Sequence, residues 1–128
     1  MKVLLDTHAL LWFGLSDARL SDGARSLIRD PDNQPLVSPA SYWEIAIKIS
    51  LGKYRLFQDL ASFMEQQIEA NRLHVLAIVP EHAAVVATLP FHHRDPFDRM
   101  LIAQAIHEHI PLVSSDAVLD KYPINRLW

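Results

Sequence analysis

Along its whole length this chain switches between two hydrophobic periods. Short apolar runs at Lys2–Leu5, Leu36–Ser38, His74–Val79 and Leu112–Ser114 predict strands, and Ile124–Leu127 predicts a weaker fifth. The segments between them carry the helical period. These are Thr7–Phe13, Ser21–Arg29, Ser41–Leu51 ending at Gly52, Asp59–Asn71, Glu81–Thr88, Pro96–His109 and a short helix after Asp116. Such alternation is the signature of an α/β domain whose mostly parallel sheet, here of four to five strands, is covered on both faces.

With 128 residues, half of them hydrophobic, the chain can bury one real core but not two comfortable ones. One globular domain spanning residues 1–128 is therefore expected. The absence of cysteine excludes disulfides, thiolate metal sites and cysteine nucleophiles, and fits a reducing compartment. Asp6 and His8 break the first apolar run too early for a signal-peptide core or a membrane span. The sequence thus predicts a soluble, cytoplasmic protein without membrane attachment. A net charge of −3 gives no basic field that would announce a nucleic-acid binder. It does not exclude an enzyme that meets phosphates through divalent cations, which invert the sign of an acidic pocket.

Pro-Leu-Val-Ser occurs twice, at Pro35–Ser38 and Pro111–Ser114. A proline opens each strand where its missing N–H does no harm, and a serine closes it at the turn. Four acids lie near such strand ends or helix starts. Asp6 follows Val3-Leu4-Leu5 and precedes a helix, where it can cap or face a ligand at the carboxyl end of the strand. Glu44, in Ser41-Tyr42-Trp43-Glu44, matches a capping box, and Lys48 stands one helical turn on. Asp98 falls in the first turn of a helix that Asp95 can cap and Pro96 can open. Asp116 follows Leu112-Val113-Ser114-Ser115. Each acid alone is explained by capping. Jointly, a doubly wound topology can bring all four to one sheet edge, where they would repel and raise one another's pKa values unless a cation sat among them.

The motifs Leu-Leu-Asp6-Thr-His-Ala-Leu-Leu-Trp, Ser-Tyr-Trp-Glu44-Ile, Asp95-Pro-Phe-Asp98-Arg-Met-Leu-Ile-Ala-Gln-Ala and Val-Ser-Ser-Asp116 resemble those of the PIN-domain family, most closely its VapC-type toxins. The resemblance covers nearly the whole chain in the same order. It implies a three-layer α/β/α domain and a metal-dependent endoribonuclease, with Mg2+ or Mn2+ held by Asp6, Glu44, Asp98 and Asp116. Asp6 and Asp98 are expected as the main ligands and Asp95 as a cap. Ser114 or Ser115 would supply the hydroxyl beside the last acid. It also implies an RNA substrate, a cognate antitoxin and a homodimer. Hard divalent ions prefer carboxylate oxygens and water, so the residue types suit that chemistry.

Three rival readings remain on the sequence. An aspartyl-phosphate enzyme would use Asp6 as nucleophile, but His8 stands where one such pattern has its second Asp, and no acidic pair precedes Asp6 as a receiver domain requires. A zinc enzyme finds no His-Glu-x-x-His motif, and His92-His93 and His107-x-His109 do not share helix faces. His92, His93 and Arg94 read as a basic loop able to touch RNA backbone. The third rival is a PIN-like binding module without catalysis, in which the acids only cap helices. Core packing accounts for most of Trp12, Phe13, Tyr42 and Trp43, and any exposed member would suit a docked partner. No base-reading motif stands out.

Overall fold

In the computed structural model, which describes residues 1–128, the chain runs β1 (Lys2–Leu5), α1 (Thr7–Gly14), α2 (Asp22–Arg29), β2 (Gln34–Val37), α3 (Pro39–Ser50) and α4 (Leu60–Ala70). It continues through β3 (His74–Val75), α5 (Pro80–Val86), α6 (Pro96–Glu108), β4 (Leu112–Val113), a 3-10 turn (Ala117–Lys121) and β5 (Arg126–Leu127). The strands form one sheet in the order β3-β2-β1-β4-β5, and every neighbouring pair is parallel. The α/β expectation and its five strands are borne out. From β1 the chain builds outward through β2 and β3, then crosses to the other side of β1 to form β4. The order therefore switches between β1 and β4.

Alternation along β1 divides the core. Val3 and Leu5 join Val37 and Val113 under α1, α2 and α4, against Leu10, Ile28 and Phe63. Leu4 points the other way and joins Leu36 and Leu112 under α6, against Leu101, Ile102 and Ala105. All three β1 side chains are fully buried, as a central parallel strand covered on both faces requires.

The boundaries moved where tertiary pairing decides them. Pro35 lies inside β2 rather than opening it. Gln34 N–H donates toward β1, to the Met1 carbonyl, so alternation turns the Pro35 nitrogen toward β3. Pairing with β3 begins only at Leu36, and no donor is missed there. The third predicted strand shrinks to His74–Val75, because its partner β2 ends at Val37 and the chain then turns into α3. That helix starts earlier than expected: Ser38 is its cap, accepting from Ala40 N–H, and Pro39 takes the first position. The capping box expected for Ser41 and Glu44 is thus absent, and both residues lie buried within the helix.

Gly14 closes α1 against α4. A Cβ there would stand 2.8 Å from the Phe63 ring and 2.9 Å from the Gln67 side chain. Phe63 and Gln67 are each 1% exposed and have little room to yield. Alanine improves helix propensity by about 1 kcal/mol, whereas overpacking a filled core costs about 1–3 kcal/mol. Gly14→Ala should therefore be destabilising overall, read as a lower urea midpoint with an unchanged slope.

Candidate active site

The carboxyl ends of β1 and β4 flank the switch point, which is where open α/β sheets bind ligands. A cavity of about 310 Å³ opens there. It is lined by Asp6, Glu44, Asp98 and Asp116, with Asp95, Lys48, Thr7, His8 and Ser114 beside them. Asp6 follows β1 directly, and Asp116 lies three residues beyond β4. Glu44 reaches in from the second turn of α3 and Asp98 from the first turn of α6. All four sequence-predicted acids are brought to one cavity, yet no three of them place carboxylate oxygens within 4.8 Å of one another. Like charges in a shared pocket stand apart in this way.

Each acid is held by named partners. Asp6 accepts from Ala9 N–H at 2.7 Å, capping α1. The polar Ser114 side chain, lining the same cavity, also pulls its carboxyl down. Burial nevertheless dominates, pushing the Asp6 carboxyl above its usual range, with Asp116 adding repulsion. Glu44 accepts from Thr7 Oγ1 at 2.7 Å and pairs with Lys48 Nζ at 3.0 Å. Ser41 Oγ lies 3.1 Å from the same threonine hydroxyl, so the link joins α1 to α3 inside the core. Asp98 is pushed up to about 7, first by burial and then by the charges of Asp95 and Glu44. Asp95 caps α6, accepting from the Phe97 and Asp98 N–H groups, as expected, and also lines the cavity.

Asp116 differs from the other three. Burial pulls its carboxyl upward, but the His93 side chain, the Val118 N–H and the Arg126 charge together outweigh burial and hold it below the usual range. His93 Nε2 lies 2.6 Å from Asp116 Oδ2, while Nδ1 lies 3.1 Å from the Tyr122 hydroxyl. That hydroxyl accepts the His93 backbone N–H at 2.9 Å. The network is self-consistent with the proton on Nε2. His93, read from the sequence as part of a basic loop, fastens the segment before α6 to the loop carrying Asp116. Arg99 secures the same segment from below. Its buried guanidinium donates to the carbonyls of Pro90, His93, Val86 and Leu89. Of the two serines, Ser114 is fully buried and lines the cavity, and Ser115 is exposed.

Thr7, Tyr122 and Arg99 were not picked out by the sequence as site residues. No local signal marks them, since each acts through partners at least six residues away. The chemistry of the cavity suits a hard divalent ion. Carboxylates dominate its donors, and magnesium needs only one or two directly, the others acting through waters.

One tighter cluster lies elsewhere: His82, His107 and Glu108 offer ligand atoms within 4.8 Å of one another where α5 meets the end of α6. His82 Nδ1 already accepts the Val79 N–H, which leaves the proton on Nε2, the atom facing Glu108 at 3.9 Å. A protonated nitrogen is no ligand, so this cluster lacks the donor a metal needs.

Comparison with known proteins agrees with this arrangement: the PIN domain pattern matches residues 3–125. The chain belongs to the PIN domain family. It is 31% identical over 115 residues to Ribonuclease VapC22 of Mycobacterium tuberculosis, covering 89% of this PIN chain and 86% of that protein. Among solved structures, VapBC2 from Rickettsia felis, bound to a DNA fragment from its promoter, superposes with a TM-score of 0.72 at 14% identity, over the full length of both chains. VapBC-1 from nontypeable Haemophilus influenzae does so at 0.65 and 15% identity, covering 98% of this chain and 96% of that one. A toxin–antitoxin complex from Klebsiella pneumoniae does so at 0.63 and 14%, covering 94% and 92%. At these identities the structures share the PIN fold.

The raised Asp98 couples stability to pH in the metal-free protein. Unfolded, this carboxyl ionises near 3.8; folded, it ionises near 7. Between those values unfolding releases a proton, so stability should fall as pH rises through this window. Asp98→Asn should flatten the dependence and raise the melting temperature at pH 8 in chelator, as thermal unfolding across pH will show. For Asp116 the opposite shift should relax: in His93→Ala its carboxyl titration moves to higher pH, readable by carbon-13 NMR.

Proposed function

We propose that this PIN protein is a cytoplasmic, metal-dependent endoribonuclease, the toxin of a toxin–antitoxin module, using Mg2+ or Mn2+ at Asp6, Asp98, Glu44 and Asp116. The observation that carries the reading is the gathering of four carboxylates at the switch point of the sheet, in a family whose relative in Mycobacterium tuberculosis is named a ribonuclease.

Asp6 and Asp98 are the main ligands, with Glu44 and Asp116 holding waters or completing the site. When bound, the cation activates water, neutralises the phosphodiester and stabilises the leaving oxygen. The remaining work belongs to side chains. Thr7 keeps one oxygen of Glu44 occupied and the Lys48 ammonium holds the other, so the side chain stays aimed. Lys48, part-exposed at the rim, is also the cation that a substrate phosphate meets first. Ser114 accepts the Asp116 N–H and lines the cavity beside Asp6. His93 fixes the rotamer of Asp116.

A partner surface adjoins the site. Trp43 and Phe91 are 64% and 79% exposed and, with Phe97, Met100 and Ile78, line an apolar groove of about 360 Å³. Tyr42 beside them is buried and Trp12 and Phe13 are half-buried, so Trp43 is the aromatic that core packing leaves out. An antitoxin segment laid along this groove would bury it and cover the mouth next to Asp98. A second copy of the chain is the other expected partner, and sedimentation of the purified protein measures it.

The decisive measurement is cleavage of a labelled total-RNA pool by protein freed of any bound partner, in Mg2+, Mn2+ or chelator. Cutting should require the metal. Asp6→Asn or Asp98→Asn should reduce it by about 100-fold or more, and His93→Ala by about 10- to 100-fold. No cleavage with any metal, together with no ion binding by calorimetry, would leave a PIN-fold binding module whose acids are caps.

A further inference from the structure

Beside the catalytic cavity lies a second, smaller recess of about 90 Å³ that shares Thr7, His8 and Lys48 with it. Its walls combine aromatic faces and cations. His8 and Trp12, one turn apart on α1, are stacked with ring centroids 5.1 Å apart and planes 6° from parallel. The Arg19 guanidinium lies 5.0 Å from the Trp12 centroid, held there by Asp17 at 2.8 Å. Tyr54, half-buried, lines the same recess with Lys48, and Leu11 and Ile45 form an apolar floor.

We infer that this recess is a nucleotide subsite, taking an unpaired base of single-stranded RNA adjacent to the bond being cut; the inference rests on the ribonuclease reading above. Planar side chains interleaved with cations are what a single-stranded nucleic acid requires. Bases stack on the rings while the backbone runs along the positive charges. The location fits as well, because His8 is exposed and belongs to both cavities, so a strand whose phosphate sits at the carboxylates passes over it. The size argues against an independent ligand. Pockets that capture free small molecules measure about 300–1,000 Å³. A recess of 90 Å³ grips part of one base and works only as an extension of the larger cavity. A base locked in a duplex presents no free face to the His8–Trp12 stack, so the subsite selects unpaired RNA. It also sets Arg19 and Lys48, each anchored by an acid, beside the rings.

The test is equilibrium binding by fluorescence anisotropy in the cleavage-deficient Asp98→Asn background with Mg2+. The probes are a fluorescein-labelled single-stranded RNA of mixed sequence and the same strand annealed to its complement. Adding His8→Ala or Tyr54→Ala should weaken single-strand binding by about five-fold or more, the loss expected for one stacked base. His8→Phe and Tyr54→Phe should restore it, because each keeps an aromatic face. Circular dichroism melts confirm that every variant is folded, and Arg19→Gln, at an exposed side chain, gives an independent arm with loss again expected. Binding that is unchanged in His8→Ala, Tyr54→Ala and Arg19→Gln, by a protein whose parent cuts RNA, overturns the subsite and leaves the ribonuclease standing. Equal loss in the alanine and phenylalanine variants overturns the stacking role. No RNA binding by Asp98→Asn and no cleavage by the parent overturn both readings.

Discussion

A parallel sheet sends every strand out through the same edge, and the rest of this molecule depends on that constraint. β1 is buried on both faces and pairs in parallel with β2 and β4, so neither neighbour can return by a hairpin. Each connection must cross a face as a helix and re-enter at the far edge. The residues that leave β1 and β4 therefore emerge side by side, and the helices that follow start there too. Polar strand-end residues and helix N-termini are concentrated in one place before any question of function arises.

Concentrating acids has an electrostatic consequence that the surrounding residues manage one at a time. Asp6 and Asp98 are left with raised carboxyls, because burial and like charge exceed what their neighbours return. Glu44 has a hydroxyl and an ammonium, and Asp116 has an imidazole and a backbone N–H. The uneven treatment has a physical use. A cavity with two acids short of compensation offers a cation more than one whose acids are all neutralised within the protein, at the expense of stability in the cation's absence.

Periodicity made the layers legible. Val3-Leu4-Leu5 reads as a central strand, the Met100–Ile106 stretch reads as a buried helix, and both are so. The edges were less legible, because a strand ends where its partner ends: nothing in His74–Val79 says that β2 stops at Val37. The Glu44 environment was misread locally for a similar reason. Ser-x-x-Glu is a capping pattern only when the helix begins at that serine, and Ser38-Pro39 supplies a stronger start three residues earlier. Asp6, Asp98 and Asp116 were legible together because each sits at a strand exit or helix entry, whereas Glu44 lies a turn inside α3. Their supports were not. Thr7 to Glu44, His93 to Asp116 and Arg99 to the Val86–His93 carbonyls span distances in sequence that only the folded chain closes.

Capping and ligand binding looked like competing explanations for Asp6 and Asp116, but a cap of the kind that Asp95 also makes does not take a carboxylate out of the cavity. A capping carboxylate commits one oxygen to a backbone N–H: Asp6 Oδ1 to Ala9, Asp95 Oδ1 to Phe97 and Asp98, Asp116 Oδ1 to Val118. The cap fixes the direction of the second oxygen, which in Asp116 is further held by His93 Nε2 at 2.6 Å. Capping thus supplies the rotamer that a ligand-binding carboxylate must otherwise lose entropy to adopt. Asp98 shows the converse, with no cap of its own: it depends on Asp95 to start the helix that carries it and on burial of α6 to hold it at the rim. At a switch point in a parallel sheet, strand exits and helix starts share one place, so a carboxylate that caps a helix there already lines the cavity.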